Sequence, residues 1–258
     1  MLKNIINLLK YTTVNNSQCF YPAVISNDYC NPAESLVITD HKDVLTQARN
    51  DGYAVLFYSE DDSFVDGAKN VTNDLTACDY DYLNYVFCRE KKLPLTILET
   101  KRCIVREMTV EDLPLLYELY DDDEIRKFIE PLYDYEEEKK FTESYIENMY
   151  GFYGFGLWLI FNKEDNALVG RAGLGIRNID GEDRTELGYI IGRNFRKKGI
   201  ATEVCNAIIK YSEDKLGIKD LVIVTRADNL ASIKTAKKLG YDNPSISVFN
   251  NLEYMIFQ

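Results

Sequence analysis

Residues 186–201 read Glu186-Leu-Gly-Tyr-Ile-Ile-Gly-Arg-Asn-Phe-Arg196-Lys-Lys-Gly199-Ile-Ala201, and they constrain this chain more than any other stretch. An apolar, strand-forming run passes directly into a short basic loop, and the loop opens a helix. The whole chain has a formal net charge of -12, yet Arg193, Arg196, Lys197 and Lys198 fall within six residues. Bare amides at a helix N-terminus, ringed by cations, form an anion site of the kind that holds a phosphate or pyrophosphate. The plainer alternative is a solvated surface turn. Gly199 supplies dihedrals that a side chain forbids and lets backbone approach a ligand.

The flanking pattern supports strand, loop and helix in that order. Ala201, Val204, Ile208 and Tyr211 recur at spacings of 3, 4 and 3, one apolar face of a helix that Gly217 stops. Leu221-Val-Ile-Val224 is short, continuous and β-branched, which predicts a buried strand. Asp228 and Asn229 then turn the chain into a second helix, Ala231 to Leu239, closed by Gly240.

Arg196-x-x-Gly199-x-Ala201, set between a strand and a helix, resembles the acetyl-CoA signature of the GNAT superfamily of N-acetyltransferases. Asn229-x-x-Ser232, followed by Lys238-Leu-Gly240-Tyr241, is similar to the second block of that superfamily. Gly156-Leu-Trp158, Val169-Gly-Arg-Ala-Gly173 and Glu186-Leu-Gly-Tyr189 resemble its ribosomal-protein N-terminal acetyltransferase branch. The resemblance covers residues 103–258. It implies an α/β fold with a mixed, twisted sheet whose fourth and fifth strands, here residues 185–191 and 221–225, splay apart to admit the pantetheine arm of acetyl-CoA.

Length and composition agree. The 258 residues, 46% of them hydrophobic, suffice for one large or two modest domains, and no apolar run approaches the roughly 18 residues that would span a bilayer. The amphipathic start, Met1 to Lys10, does not read as a signal peptide, so a cytoplasmic location with reduced thiols is expected for the six cysteines, Cys19, Cys30, Cys78, Cys88, Cys103 and Cys205. They lack metal-ligand spacing, and His41 is the sole histidine, so neither a metal nor a histidine-based triad is expected. The acidity argues against a nucleic-acid partner, and nothing suggests a membrane partner.

A change of character near residue 102 predicts two domains. Residues 1–102 alternate strands at Ser35–Thr39, Ala54–Tyr58 and Leu95–Leu98 with helices at Lys42–Asn50 and Tyr80–Lys91, a smaller three-layer-like α/β domain of structural or regulatory role. Residues 103–258 carry 28 acidic and 20 basic side chains. Strands are expected at Ile104–Met108, Gly156–Phe161, Leu168–Ile176 and Thr185–Ile191, with a hairpin turn at Asn178–Asp183. A capping box at Thr109 opens a helix to Tyr120, and another helix covers Glu136 to Met149.

Acetyl transfer to an amine requires a polarised thioester carbonyl, a deprotonated amine and a stabilised thiolate. The resemblance places Tyr189, Ile190 and Ile191 along the pantetheine, with a backbone N–H of Ile190 or Ile191 at the carbonyl. It sets Arg196, Lys197, Lys198, Gly199, Ile200 and Ala201 at the diphosphate. Glu186 is the expected base, its alternative being an exposed edge carboxylate. Ser232 stands in for the leaving-group donor, because the usual tyrosine, seven residues after Asn229, is here Ala236; its alternative is a helix-capping role. Asn229 is expected on the pantetheine or as an N-cap, and Lys234 on the phosphates or in solvent.

The acceptor is expected to be a small-molecule or peptide amine, met by residues 111–155. Their carboxylate runs, Asp121–Glu124 and Asp134–Glu138, either attract a cationic amine or form solvated faces. Their aromatics either wall the site or fill the core. A homodimer is compatible with the sequence. The rival function is a non-catalytic acyl-CoA-binding sensor.

Overall fold

A computed structural model describes residues 1–9, 31–61, 65–249 and 251–258. Cys19 and Cys30 lie outside the described residues. The chain divides into two compact units, Met1–Leu95 and Thr96–Gln258.

The first unit is a parallel sheet of β1 (Asn4–Leu8), β2 (Ser35–Thr39), β3 (Ala54–Tyr58) and β4 (Val71–Thr72), in that spatial order. Strand alternation sends Leu36, Ile38 and Leu56 to one face, against Leu83, Val86 and Phe87 of α2 (Tyr80–Lys91). Val37, Val55 and Phe57 go to the other, against Leu45 and Ala48 of α1 (Lys42–Asn50). Both faces are covered, which is why β2 and β3 read as unbroken apolar runs. Asp79 caps α2 by accepting the Tyr82 N–H at 2.8 Å.

One expectation is corrected here. The run expected as a third strand of this sheet forms β5 (Thr96–Glu99), which pairs antiparallel with β6 (Cys103–Arg106) in the second unit. Its partner is the next strand along the chain, across the short turn at residues 100–102, rather than a strand of the first sheet.

The second unit continues as an antiparallel meander, β5-β6-β7-β8-β9, with β7 at Leu157–Asn162, β8 at Leu168–Ile179 and β9 at Glu182–Ile191. The β8–β9 turn is tighter than the sequence predicts: only Asp180 and Gly181 lie between the strands, both at positive φ (52° and 90°), the primed geometry that matches strand twist. A second sheet, β10 (Ile223–Arg226), β12 (Leu252–Phe257) and β11 (Ser245–Phe249), is antiparallel with β12 central. The last two strands were not anticipated. The two sheets meet at one parallel bridge, Glu186 to Val222.

Helices cover the larger sheet. The Thr109 capping box leads into α3 (Leu113–Tyr120), followed by the short α4 (Asp123–Arg126). Next comes α5 (Tyr135–Tyr145), whose axis continues as a π-helical segment, Ile146–Tyr153. On the opposite face run α6 (Ile200–Leu216) and α7 (Leu230–Lys238). Trp158 and Tyr211 meet edge to face there, with centroids 5.8 Å apart. Cys103 and Cys205 are buried free thiols.

Gly170 and Gly173 have a packing reason. A Cβ at Gly170 would overlap the Ile190 carbonyl oxygen, and one at Gly173 the Gly156 carbonyl oxygen. Gly173→Ala is expected to cost about 1–3 kcal/mol by forcing β7 and β8 apart, measurable by chemical denaturation.

Candidate active site

The site is built where β9 and β10 part. Leu187 N–H donates to Val222 O at 2.8 Å and Val222 N–H to Thr185 O at 2.9 Å, and the pairing ends there. Beyond it β9 stays with β8, while β10 is held by β12. The fork leaves one edge of β9 open.

Alternation decides which amides face that opening. Gly192 N–H donates to Val169 O at 2.8 Å, which sets the phase of the β8–β9 ladder and assigns the backbone groups of Gly188 and Ile190 to β8. Those of Tyr189 and Ile191 share the side of Leu187 and turn toward the fork. Ile190 is therefore corrected as a source of a free N–H; Tyr189 and Ile191 hold the open ones. The Ile191 carbonyl is occupied, accepting Arg196 Nε at 2.9 Å.

The basic loop divides its cations. Arg196 donates to Asp122 and Glu124 at 2.7 Å each, and Arg193 donates to the Asp121 carbonyl at 2.8 Å. Asp122 is buried. Burial pushes its carboxyl up, but the Glu124 N–H and the Arg196 guanidinium outweigh that and hold it below the usual carboxylate range. Arg196 thus clamps the loop to the start of α4, and its expected role as a phosphate cation is corrected for its side chain. Lys197 and Lys198 are exposed and hold no ion pair among the described residues; the Lys198 ammonium lies 5.5 Å from the Phe195 ring centre. Lys234 is exposed on α7.

The start of α6 leaves backbone donors open. Gly199 sits at φ 77° as its N-cap, with no side chain capping the helix, so the amides of Ile200, Ala201 and Thr202 lack intrahelical partners. Lys197 also takes a left-handed conformation, φ 60°. Arg102, the last residue of the expected first domain, braces this turn: its Nη1 donates to Lys198 O at 2.8 Å and its Nε to Glu203 at 2.7 Å.

Glu186 carries a half-buried carboxylate on the face of β9 opposite Tyr189, 3.2 Å from Arg177. Burial pushes its pKa above the usual carboxylate range, with Arg177 offsetting only part of the shift. On the other face, Tyr189 Oη lies 3.0 Å from both the Ser232 carbonyl and Ser232 Oγ. Burial pushes that phenol up to about 12. The sequence reading named both residues without joining them. Asn229 is the N-cap of α7, accepting Ser232 N–H at 3.2 Å, and Ala236 is fully buried. Burial likewise pushes the Cys205 thiol up to about 12, so it is not an ionised nucleophile at neutral pH.

The 111–155 region is part core and part surface. Tyr150 is buried, whereas Phe152 is exposed; Glu138 is buried and accepts the Tyr133 N–H at 3.1 Å, while Glu136 and Glu137 face solvent. An open depression of about 460 Å³ is lined by Tyr117, Tyr120, Asp121, Arg126 and Leu132 among others. Among the described residues no group of side chains could hold a metal ion, and no helix is long and apolar enough to cross a membrane.

A family model described as the acetyltransferase (GNAT) domain matches residues 102–242. YnaD of Bacillus subtilis, named as an uncharacterized N-acetyltransferase, is 26% identical over 145 residues, 55% of this chain and 81% of YnaD. Among solved structures, RimL, a ribosomal L7/L12 alpha-N-protein acetyltransferase, superposes with a TM-score of 0.55 at 18% identity, over 64% of this chain and 93% of that one. A second RimL structure, in complex with coenzyme A, gives 0.51 at 18% identity, over 63% and 96%.

Asp122→Ala, which leaves Arg196 without its buried partner, is expected to lower stability by about 1–3 kcal/mol in chemical denaturation.

Proposed function

This chain belongs to the acetyltransferase (GNAT) domain family, and from that premise we propose that residues 96–258 transfer an acetyl group from acetyl-CoA to a primary amine by direct attack in a ternary complex. The observation that carries the reading is the fork: β9 and β10 share a single bridge and then diverge, beside a helix start whose amides lack partners.

On this reading the pantetheine arm acts as a substitute strand, hydrogen-bonded to Tyr189 and Ile191 along the open edge of β9. The diphosphate lies against the amides of Ile200, Ala201 and Thr202, with Lys197 and Lys198 supplying charge. One of the two fork-facing N–H groups polarises the thioester carbonyl as it becomes an oxyanion. An alkylammonium, with a pKa of about 10, must lose a proton before it attacks, and Glu186 takes it, directly or through water.

The leaving group meets the Tyr189–Ser232 hydroxyl pair. A phenol pushed up to about 12 is a weaker acid than a thiol of about 8.5, so the pair does not surrender its proton outright. It stabilises the departing thiolate by hydrogen bonding. The likeness to RimL, an alpha-N-protein acetyltransferase, supports a peptide N-terminus as one acceptor class; a small-molecule amine is the other.

A second reading, a non-catalytic acyl-CoA sensor with the first unit as output, is favoured by one observation: Ala236 where the family carries its tyrosine. Release of free thiol from acetyl-CoA with a panel of amines separates the two. Turnover with any amine supports the enzyme, and tight binding without turnover supports the sensor.

Gly199→Glu places bulk and negative charge at a position of φ 77° and is expected to weaken coenzyme A binding at least about 100-fold by calorimetry. Unchanged affinity would overturn the loop assignment. Glu186 acts as a base only when ionised, and its raised pKa means the rate falls as pH drops through a value above the usual carboxylate range. Glu186→Gln should lower kcat about 10²- to 10⁴-fold and remove that acid limb; a pH–rate curve identical to wild type excludes Glu186 as the base.

A further inference from the structure

A second link joins the two prongs of the fork, at its open end. Ile190 stands four residues beyond the bridge on β9, and Arg226, the last residue of β10, stands four beyond it on the other prong. The short helix α4 is fastened at both of these levels. At its N-terminal end Asp122 accepts the Glu124 N–H at 2.9 Å and holds Arg196, whose Nε donates to the Ile191 carbonyl. At its C-terminal end the Lys127 carbonyl, one of those a helix leaves unsatisfied, accepts Arg226 Nη1 at 2.9 Å. Arg226 also donates to both Asp228 oxygens, at 3.0 and 2.8 Å, and the Lys127 ammonium lies 3.4 Å from the same carboxylate. The Phe128 ring centre lies 5.2 Å from the Arg226 guanidinium and 4.9 Å from the Lys127 ammonium.

The span between the prongs is stiff. Arg126 N–H donates to Asp122 O at 2.9 Å and Lys127 N–H to Asp123 O at 3.1 Å, while Phe128 and Ile129 both donate to Ile125 O at 2.9 Å. Ile125 is buried in the core of the unit. Bridged residues share a face and alternation carries it along each strand, so Arg226 projects from the face of Glu186, opposite to Tyr189. Arg177, the ion-pair partner of Glu186, lies 5.7 Å from the ring of Tyr254, which pairs with Arg226, as that face requires. The diverging strands therefore belong to a closed frame, with the bridge at one end and α4 across the other. Its two attachments are unequal. Asp122 is buried on the β9 side, whereas Lys127 and Asp228 are exposed on the β10 side. An exposed ion pair adds little, so the hold on β10 rests mainly on the half-buried Arg226.

Resting on the acetyltransferase reading above, we propose that Arg226 is a positioning residue. It acts through the Lys127 carbonyl and α4 to fix the gap between β9 and β10 at the width in which the pantetheine arm reaches the amides of Tyr189 and Ile191. No step of the transfer is assigned to Arg226 itself. Losing it frees β10 from α4, while Arg196 still fastens the basic loop to Asp122, so the nucleotide end of the cofactor keeps its contacts. A loosened gap is no longer preorganised, and its cost falls on the pantetheine portion alone.

The test titrates the full chain by calorimetry with coenzyme A and with 3′-phosphoadenosine 5′-diphosphate, the same nucleotide without its pantetheine. Arg226→Met should weaken coenzyme A binding at least about tenfold and leave the nucleotide's affinity within about twofold of wild type. The KM for acetyl-CoA should rise in step, and that for the amine much less. Arg226→Lys, which keeps the charge and loses the bidentate grip on Asp228, should fall between the two. Equal losses for both ligands would make the role of Arg226 merely structural and overturn the proposal, as would an unchanged coenzyme A affinity; both results leave the acetyltransferase reading intact. Should Arg226→Met not fold, Asp228→Asn, which weakens the same attachment, should show the same selective loss at smaller size, and its absence there overturns the proposal equally. A wild-type chain that binds neither ligand would overturn the acetyltransferase reading together with the proposal.

Discussion

The divergence of two strands after a single bridge organises the second unit. Had β9 and β10 stayed paired, the amides of Tyr189 and Ile191 would be spent on a neighbouring strand, as those of Gly188 and Ile190 are on β8. Unpaired backbone donors at a sheet edge invite another extended chain. Here the invitation is narrow, because the bridge at Val222 closes one end of the fork and β12 holds β10 away from β9. The basic loop leaves from the open end, so the edge of β9 and the N-terminus of α6 follow one another along a single path.

Charge along that path is allotted with economy. An acidic chain that gathers four cations in one loop would be expected to neutralise them, and it does so for two. Arg193 and Arg196 turn back to Asp121, Asp122 and Glu124, fastening the loop to the beginning of α4. Glu203 likewise holds Arg102 against the Lys198 carbonyl. Only Lys197 and Lys198 remain exposed with no ion pair among the described residues. The arginines shape the turn, and the lysines leave its potential positive.

Much of this was legible in sequence, and several of the exceptions share a cause. The limits of α1, α2, β2 and β3 follow from local periodicity and caps, and the strand–loop–helix order at 185–216 from its glycines and its apolar spacing. What local pattern cannot supply is a distant partner. The partner of Arg196 lies 74 residues away at Asp122. The Tyr189–Ser232 contact spans 43 residues. The strand expected at Leu95–Leu98 was assigned to the wrong sheet for another reason: the strand–helix alternation before it hid the hairpin that Thr96–Glu99 forms with Cys103–Arg106. The strand Ser245–Phe249 escaped notice for a different reason: Ile246 and Val248, its apolar positions, are 67% and 64% exposed, so no apolar core face announces it.

The division of labour across β9 depends on register. Odd positions put Leu187 and Tyr189 toward α6 and α7, and even positions put Glu186 and Ile190 on the face of Arg171. Ten consecutive pairs with β8 run without a bulge from Glu182 to Ile191. Their phase is set by the two-residue turn at Asp180 and Gly181, where both residues take positive φ and only a short, permissive pair fits. A one-residue slip would exchange the faces, burying the Glu186 carboxylate against the helices and turning the Tyr189 phenol away from Ser232. A surface turn distant from the fork therefore decides which face of the strand carries Tyr189 and which carries Glu186.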